Sequence, residues 1–260
     1  MKVSVVITAY NSEKTIYRAI NSVLKQKVNF DYEVIVSDDG STDSTNKIIS
    51  TFFKERIRYI NNGHVGIMRN FAQALDACNG EYIAFCDGDD YWTNDLKLQN
   101  QVDYMDLHSE CSLCHTNTLT MTDKWEDQTK VFDNEVTYDS MLVGGTLYIL
   151  TAMIRASHYN GIMHKFIKLH MNSWDYPLVL HYTRCGKIYK LEDFCAVSMI
   201  YTESYTHTHS RIKRVRVMGG VYWVRLYYII KYGCKPSTFF YLIYKFTRDL
   251  YSIIFKRWYK

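Results

Sequence analysis

Apolar runs and helical stripes alternate along the first hundred residues. Residues 3–8 are almost continuously apolar, which predicts a central parallel strand covered on both faces rather than a half-exposed one. A helix follows, with Ile16, Ala19, Ile20, Val23 and Leu24 at helical spacing and Asn11 or Ser12 placed to cap it. Residues 32–37, centred on Val34-Ile35-Val36, repeat the strand; Ile48, Ile49, Phe52 and Phe53 repeat the helix. A short third strand over 57–60, a turn at Asn61-Asn62-Gly63 and a helix over 67–78 deliver the chain into a fourth strand over 82–86. Right-handed crossovers place these strands in one sheet with their carboxyl ends on a shared edge.

That edge is acidic. The second strand runs into Asp38-Asp39-Gly40-Ser41-Thr42-Asp43, and the fourth stops on Asp87-Gly88-Asp89-Asp90. Ligands of open α/β sheets bind outside the carboxyl ends of the strands, so both clusters sit where a substrate would. Crowded carboxylates raise one another's pKa unless a cation neutralises them, and an all-oxygen set suits Mg²⁺ or Mn²⁺. The plainer reading is helix capping, at which Asp excels. Capping alone does not explain two consecutive acids before Gly40.

The pattern loosens downstream. A helix is expected over 95–107, a strand over 111–121, a polar stretch over 122–134, a strand over 147–154, a short helix over 175–182 and strands over 188–191 and 194–200. Residues 211–260 then carry a dozen Lys and Arg against the single acid Asp249, interleaved with Tyr, Phe and Trp, as two helices broken at 233–236. The formal net charge of +4 is therefore concentrated in the tail. With 47% apolar residues the chain is a folded protein, not a disordered one. Seven irregularly spaced cysteines suggest no disulfide framework and point to a reducing cytosol. The first apolar run is too short for a signal peptide, and no run reaches the roughly 18 to 20 apolar residues of a spanning helix. Cys111-Ser112-Leu113-Cys114-His115 mimics a haem-attachment sequence, but it falls on an expected strand, where residues three apart face opposite ways.

Val3-Ser4-Val5-Val6-Ile7-Thr8-Ala9-Tyr10-Asn11, the Val36-Ser37-Asp38-Asp39-Gly40-Ser41-Thr42-Asp43 turn, Gly66-Ile67-Met68-Arg69-Asn70, and Gly80-Glu81-Tyr82 through Asp87-Gly88-Asp89-Asp90 together resemble the successive signatures of inverting family 2 glycosyltransferases. The resemblance is strong over 1–110, continues more weakly to about 200, and does not reach the tail. It implies the GT-A fold: an α/β, Rossmann-like, mostly parallel central sheet flanked by helices, here with a C-terminal helical appendage. It divides the chain into a transferase domain over 1–210, with a nucleotide-sugar half (1–110) and an acceptor half (111–210), followed by the basic helices over 211–260.

The resemblance also implies roles. Thr8 and Tyr10 would flank the donor's base and Asp39 would accept its ring N–H, which suits uracil first, then thymine or guanine, and not cytosine. Arg69 would approach the phosphates or ribose, with a solvated surface charge as the plainer reading. Asp87 would lie near the ribose or the water shell of a Mn²⁺ or Mg²⁺ ion bound by Asp89. Asp175 best fits the general base, with Glu192 and Asp193 as competitors and helix capping as its plainer role. Relatives carry a Tyr-Arg-x-His type segment where this chain reads Ser198-Met199-Ile200-Tyr201; His207 and His209 lie just beyond.

The expected function is metal-assisted, inverting transfer of a sugar from a nucleotide-diphosphate donor, first of all UDP, to a glycan or lipid-linked acceptor in bacterial surface polysaccharide synthesis. The rivals are a non-catalytic nucleotide-sugar-binding protein and a nucleotidyltransferase. The basic aromatic tail suits plain packing or peripheral contact with the inner face of the cell membrane around a cytoplasmic enzyme. Nucleic acid is not an expected partner, since no recognised nucleic-acid module accompanies the charge.

Overall fold

The computed structural model describes residues 1–255 apart from 54–55, 62, 123–126, 131–135, 146, 170, 172–173 and 201–210. Strand β1 (Val3–Ala9) leads through helix α1 (Ile16–Leu24) to β2 (Tyr32–Asp38), and α2 (Thr45–Ser50) leads to β3 (Ile57–Asn61). Helix α3 (Ile67–Asp76) precedes β4 (Tyr82–Asp87); the two-residue β5 (Tyr91–Trp92) and α4 (Lys97–Leu107) follow. The second half contributes β6 (Cys111–Thr122), β7 (Asp127–Lys130), α5 (Tyr138–Val143), β8 (Met153–Arg155), α6 (Ile162–Lys168), α7 (Asp175–Tyr182) and β9 (Lys187–Ile200). Two long helices, α8 (Arg211–Tyr232) and α9 (Pro236–Phe255), complete it.

Among the described residues one sheet runs through both halves in the order β3-β2-β1-β4-β8-β6-β9-β5, with β7 on β6. The β-α half is parallel, β1 lying between β2 and β4 and β3 outside β2. The other half is mixed: β8 runs antiparallel to both β4 and β6, while β6 and β9 are parallel. Alternate residues of β1 feed two cores. Val3, Val5 and Ile7 pack with α1 and α4 through Ile16, Ile20, Leu98 and Val102, whereas Val6 joins Phe71, Phe85 and Leu178 on the other face. Period-two side chains that are apolar on both faces account for the near-continuous runs in the sequence.

Several local expectations are corrected. Helix α1 starts at Ile16 rather than at a Ser12 side-chain cap: the Ser12 carbonyl accepts the Thr15 and Ile16 amides at 3.0 and 2.9 Å. Helix α2 ends at Ser50, leaving Phe52 and Phe53 in the following turn. Helix α4 starts two residues late, because the Asn94 side chain takes the Leu96 amide at 2.8 Å. The strand expected over 147–154 is mostly a 3-10 turn at Ile149–Thr151 before β8. There the Leu150 carbonyl accepts Trp92 Nε1 at 3.0 Å and the Thr151 carbonyl accepts Gln101 Nε2 at 2.9 Å, so these buried groups need no ladder. The two strands expected over 188–200 are one strand with register shifts, bridged by Asn117 Nδ2 donating to the Glu192 carbonyl at 2.7 Å. Helices α5 and α6 were not anticipated; the Thr137/Ser140 capping box and Gly144 at φ 116° bound α5.

All seven cysteines are free. Cys111, Cys114 and His115 are buried in β6, which rules out their use as an attachment site at the surface. Burial pushes the His115 imidazole down to about 4, and its Nδ1 has no hydrogen-bond partner among the described residues. His115 is therefore neutral when folded but charges in the unfolded chain below about pH 6.5. Its contribution to stability should be lost as pH falls from about 6.5 to about 4, by roughly 3 kcal/mol from this residue. Urea unfolding of the wild type and His115→Gln at about pH 7 and about pH 4.5 checks this: the variant should show the smaller acid loss.

Candidate functional site

The site is built at the carboxyl end of β1. Its Thr8 lies in register with Ser37 of β2 and Asp87 of β4, and Ala9 with Asp38, so the two acidic turns flank one strand end. Asp38 is consumed by its turn. Its Oδ1 accepts the Ser41 amide at 3.0 Å and the Ser41 hydroxyl, and its Oδ2 accepts the Tyr59 hydroxyl at 2.9 Å.

Asp39 is buried and faces the loop before α3. Its Oδ1 accepts the Val65 and Gly66 amides at 2.8 and 2.9 Å, and its Oδ2 lies 3.0 Å from His64 Nδ1. A carboxylate offers about four acceptor positions; the two amides fill those of Oδ1, while the His64 Nδ1 hydrogen bond goes to the Asp39 main-chain carbonyl at 3.1 Å, which leaves Oδ2 to accept from a ligand. The Tyr10 ring, half exposed, lies 4.9 Å from the His64 ring, which gives an aromatic edge beside that carboxylate. Gly40 (φ 72°) makes the approach possible: a Cβ there would stand 2.5 Å from the His64 amide nitrogen. Arg69 is exposed on the first turn of α3, which is clamped to β2 by Ser37 Oγ donating to Asn70 Oδ1 at 2.6 Å and Asn70 Nδ2 donating to the Ser37 carbonyl at 3.0 Å.

The second acidic turn is tied to the same strand. Thr8 Oγ1 donates to Asp87 Oδ1 at 3.0 Å and the Gly88 amide to the Thr8 carbonyl at 2.9 Å. A Cβ at Gly88 would stand 2.9 Å from that carbonyl oxygen, so glycine is what lets the loop lie against β1. Asp90 points inward, its Oδ1 accepting the Met199 amide of β9 at 2.7 Å. Asp87 and Asp89 stay half-buried. Burial, and for Asp87 the neighbouring Asp89, pushes both carboxyls up from the usual range; Asp90 is raised further by burial and by both neighbours. Arg18 of α1, stacked 4.1 Å from the Tyr91 ring, partly offsets this at Asp89 and Asp90.

Asp175 reaches the same cluster from the far half. It is exposed at the first turn of α7, and its charge contributes to raising Asp87. It is not a helix cap: the cap position is Trp174, without a side-chain bond, and Asp175 Oδ1 accepts the next amide at 2.7 Å. The Trp174 ring sits 3.8 Å from Phe71, seating α7 on α3. Glu192 is exposed and paired with Lys190 at 3.0 Å. Among the described residues no group of three or more His, Cys, Asp or Glu can hold a metal. Two half-buried carboxylates raised by burial, Asp87 also by its neighbour, nonetheless fit an ion that takes one or two protein carboxylates and completes its shell with substrate phosphates, as Mg²⁺ does. His207 and His209 lie outside the described residues.

Residues 4–194 match the family model described as Glycosyl transferase family 2. The chain is a family 2 glycosyl transferase. Like other members it has curated relatives: it is 27% identical over 250 residues, 92% of this chain and 96% of the relative, to the Escherichia coli UDP-Glc:alpha-D-GlcNAc-diphosphoundecaprenol beta-1,3-glucosyltransferase WfgD. It is 42% identical over 118 residues to an uncharacterized Mycobacterium tuberculosis protein, of which it spans only 33% of the length, against 43% of its own. Among solved structures, S. aureus TarS 1-349 in complex with UDP matches 97% of this transferase and 72% of that chain, with TM-score 0.67 at 22% identity. The mannosyltransferase PcManGT from Pyrobaculum calidifontis, in complex with GDP-Man and Mn2+, matches 97% and 69% with TM-score 0.59 at 14% identity. These likenesses bear out the GT-A fold expected from the sequence.

Sequence reading missed two residues that face the acidic turns. His64 carries no motif signal; only the approach of its loop to Asp39 shows its place. Arg18 looked like an ordinary helix charge between buried Ile16 and Ala19. Asp39 has a structural task as well, and the two amides on Oδ1 allow it to be isolated. Asp39→Ala should cost about 1–3 kcal/mol in urea unfolding by orphaning the Val65 and Gly66 amides, while Asp39→Asn, which keeps one acceptor oxygen, should recover most of it.

Proposed function

We propose that this chain transfers a sugar from a uridine-diphosphate donor to a lipid-linked glycan acceptor in bacterial surface polysaccharide synthesis, with inversion at the anomeric carbon. The observation that carries the reading is that the two acidic turns, with Asp39, Asp87 and Asp89, flank one strand end in a family 2 glycosyl transferase; the contribution of Asp175, from the other half of the sequence, to raising Asp87 supports it. WfgD, named for a UDP-glucose donor and a diphosphoundecaprenol acceptor, aligns over nearly its whole length and supports both substrate classes. TarS was solved with UDP and with UDP-GlcNAc, which supports uridine.

In this reading Tyr10 lies against the base and Asp39 accepts its ring N–H at Oδ2, with Thr8 closing the strand end beneath. Arg69 meets the phosphates or ribose with its fixed fork of donors. Asp87 would serve the ribose or a metal's water shell, and Asp89 would hold Mn²⁺ or Mg²⁺. Such an ion, when bound, neutralises the leaving diphosphate as a Lewis acid. Asp175 takes the proton of the acceptor hydroxyl as that oxygen attacks the anomeric carbon from the face opposite the diphosphate. The sugar–phosphate bond breaks as the new glycosidic bond forms, and the nucleoside diphosphate departs with the electron pair. A lipid-linked acceptor puts the enzyme at the inner face of the cell membrane.

Calorimetric titration of UDP, dTDP, GDP and CDP, with and without Mn²⁺, tests the donor assignment. UDP should bind best, in a metal-dependent way that Asp89→Ala abolishes; a folded protein that binds none of the four would sink the transferase reading. Asp175→Asn should keep UDP affinity and lower kcat by roughly 100-fold or more, the scale of a lost general base. Unchanged kcat in that variant would move the base elsewhere.

A further inference from the structure

Helices α8 and α9 are oriented inside out. Their inward positions include a set of polar groups: Arg225 is buried and donates to the Tyr176 hydroxyl at 3.0 Å, Lys245 donates to the Val143 carbonyl at 2.8 Å, and Thr238 donates to Asp139 at 3.0 Å. Tyr222 donates to Asp249 at 3.0 Å between the two helices, and among the described residues the buried apolar side chains here are Val224, Tyr228 and Leu242. The outward positions carry large apolar side chains. On α8, Trp223, Leu226 and Ile230 recur at helical spacing and are 47%, 44% and 76% exposed. On α9, Phe240, Ile243 and Tyr244 form a second stripe at 68%, 50% and 58%. Water is a poor neighbour for such side chains, and stripes of exposed large apolar residues on two helices mark an interaction site.

The net charge of the segment that carries these stripes selects the occupant. Residues 211–260 hold twelve Lys and Arg against Asp249 alone. A second copy docking through this face would bring two such positive sets together, whereas an anionic lipid surface complements them. Among the described residues no helix is long and apolar enough to cross a membrane, so the match is to an interface, with rings and aliphatic groups entering the headgroup region and cations meeting lipid phosphates.

We infer that the outer faces of α8 and α9 form a membrane-docking surface for anionic lipid. This deepens the proposed function, resting on it for the source of the lipid: docking would hold the donor site beside a lipid-linked acceptor.

The test is flotation of the full chain with phosphatidylcholine vesicles and with vesicles containing about 30% phosphatidylglycerol, alongside a double variant, Phe240→Ser with Ile243→Ser. Both positions are exposed, so circular dichroism and UDP affinity should match the wild type. The wild type should float with the anionic vesicles only, binding should weaken on raising salt, and the variant should bind at least tenfold more weakly. Failure of the wild type to float overturns the inference. Sedimentation as a dimer that the same variant disrupts, without flotation, assigns the face to a second copy and overturns it as well. Flotation without UDP binding would remove the transferase reading and leave the surface standing.

Discussion

The in-register pairing of β1 with β2 and β4 is the constraint on which the site depends. Because three parallel strands stop at one level, two acidic turns separated by half a hundred residues come to flank a single strand end. Neither turn makes a pocket alone. Thr8 ties the second to this edge, its hydroxyl on Asp87 and its carbonyl on the Gly88 amide, and the Ala9 carbonyl ties the first by accepting the Asp39 amide at 2.8 Å. The apolar alternation that buries both faces of β1 is thus also what fixes the level at which the chemistry sits.

The same edge concentrates unfavourable electrostatics. Asp87, Asp89 and Asp90 are all raised by burial, and Arg18 offsets only part of this. The three acids nevertheless have separate fates. Asp90 turns inward and is used by the Met199 amide, as Asp38 is used by Ser41 and Tyr59. Each acidic turn therefore commits at least one carboxylate to architecture, and in the second Asp87 and Asp89 stay half-buried beside it. Residual crowding among those that remain favours a cationic partner, which is a common way for a binding site to store unfavourable energy that a ligand relieves.

The first half of the fold was legible because its signals are long-range in the chain but simple in kind: buried parallel strands read as apolar runs, and each ends in a polar turn. The acid clusters could be placed on one edge from crossover handedness alone. The second half was less legible for a physical reason. Around Leu150 and Thr151, side chains of Trp92 and Gln101 supply the hydrogen bonds that a strand would otherwise need, and periodicity cannot reveal a donor fifty residues away. Helices α5 and α6 are six and seven residues long, too short to establish a stripe. His64 was invisible because its importance lies in whom it faces, not in its neighbours along the chain.

The contact of Trp174 with Phe71 has an implication for how such enzymes diversify. It seats α7 on α3, and α3 is itself clamped to β2 through Asn70 and Ser37. Asp175 is thereby tied to the β-α half as well as to the chain between residues 111 and 170, on whose carbonyls α7 also rests through Tyr176, His181 and Tyr182. Drift in that stretch that spares these carbonyls can reshape what lies opposite the acidic turns while Asp175 keeps its place. A chimera that imports a foreign middle segment would need to preserve the Trp174–Phe71 contact together with the strand pairings to β4 and β9 to keep the two halves in alignment.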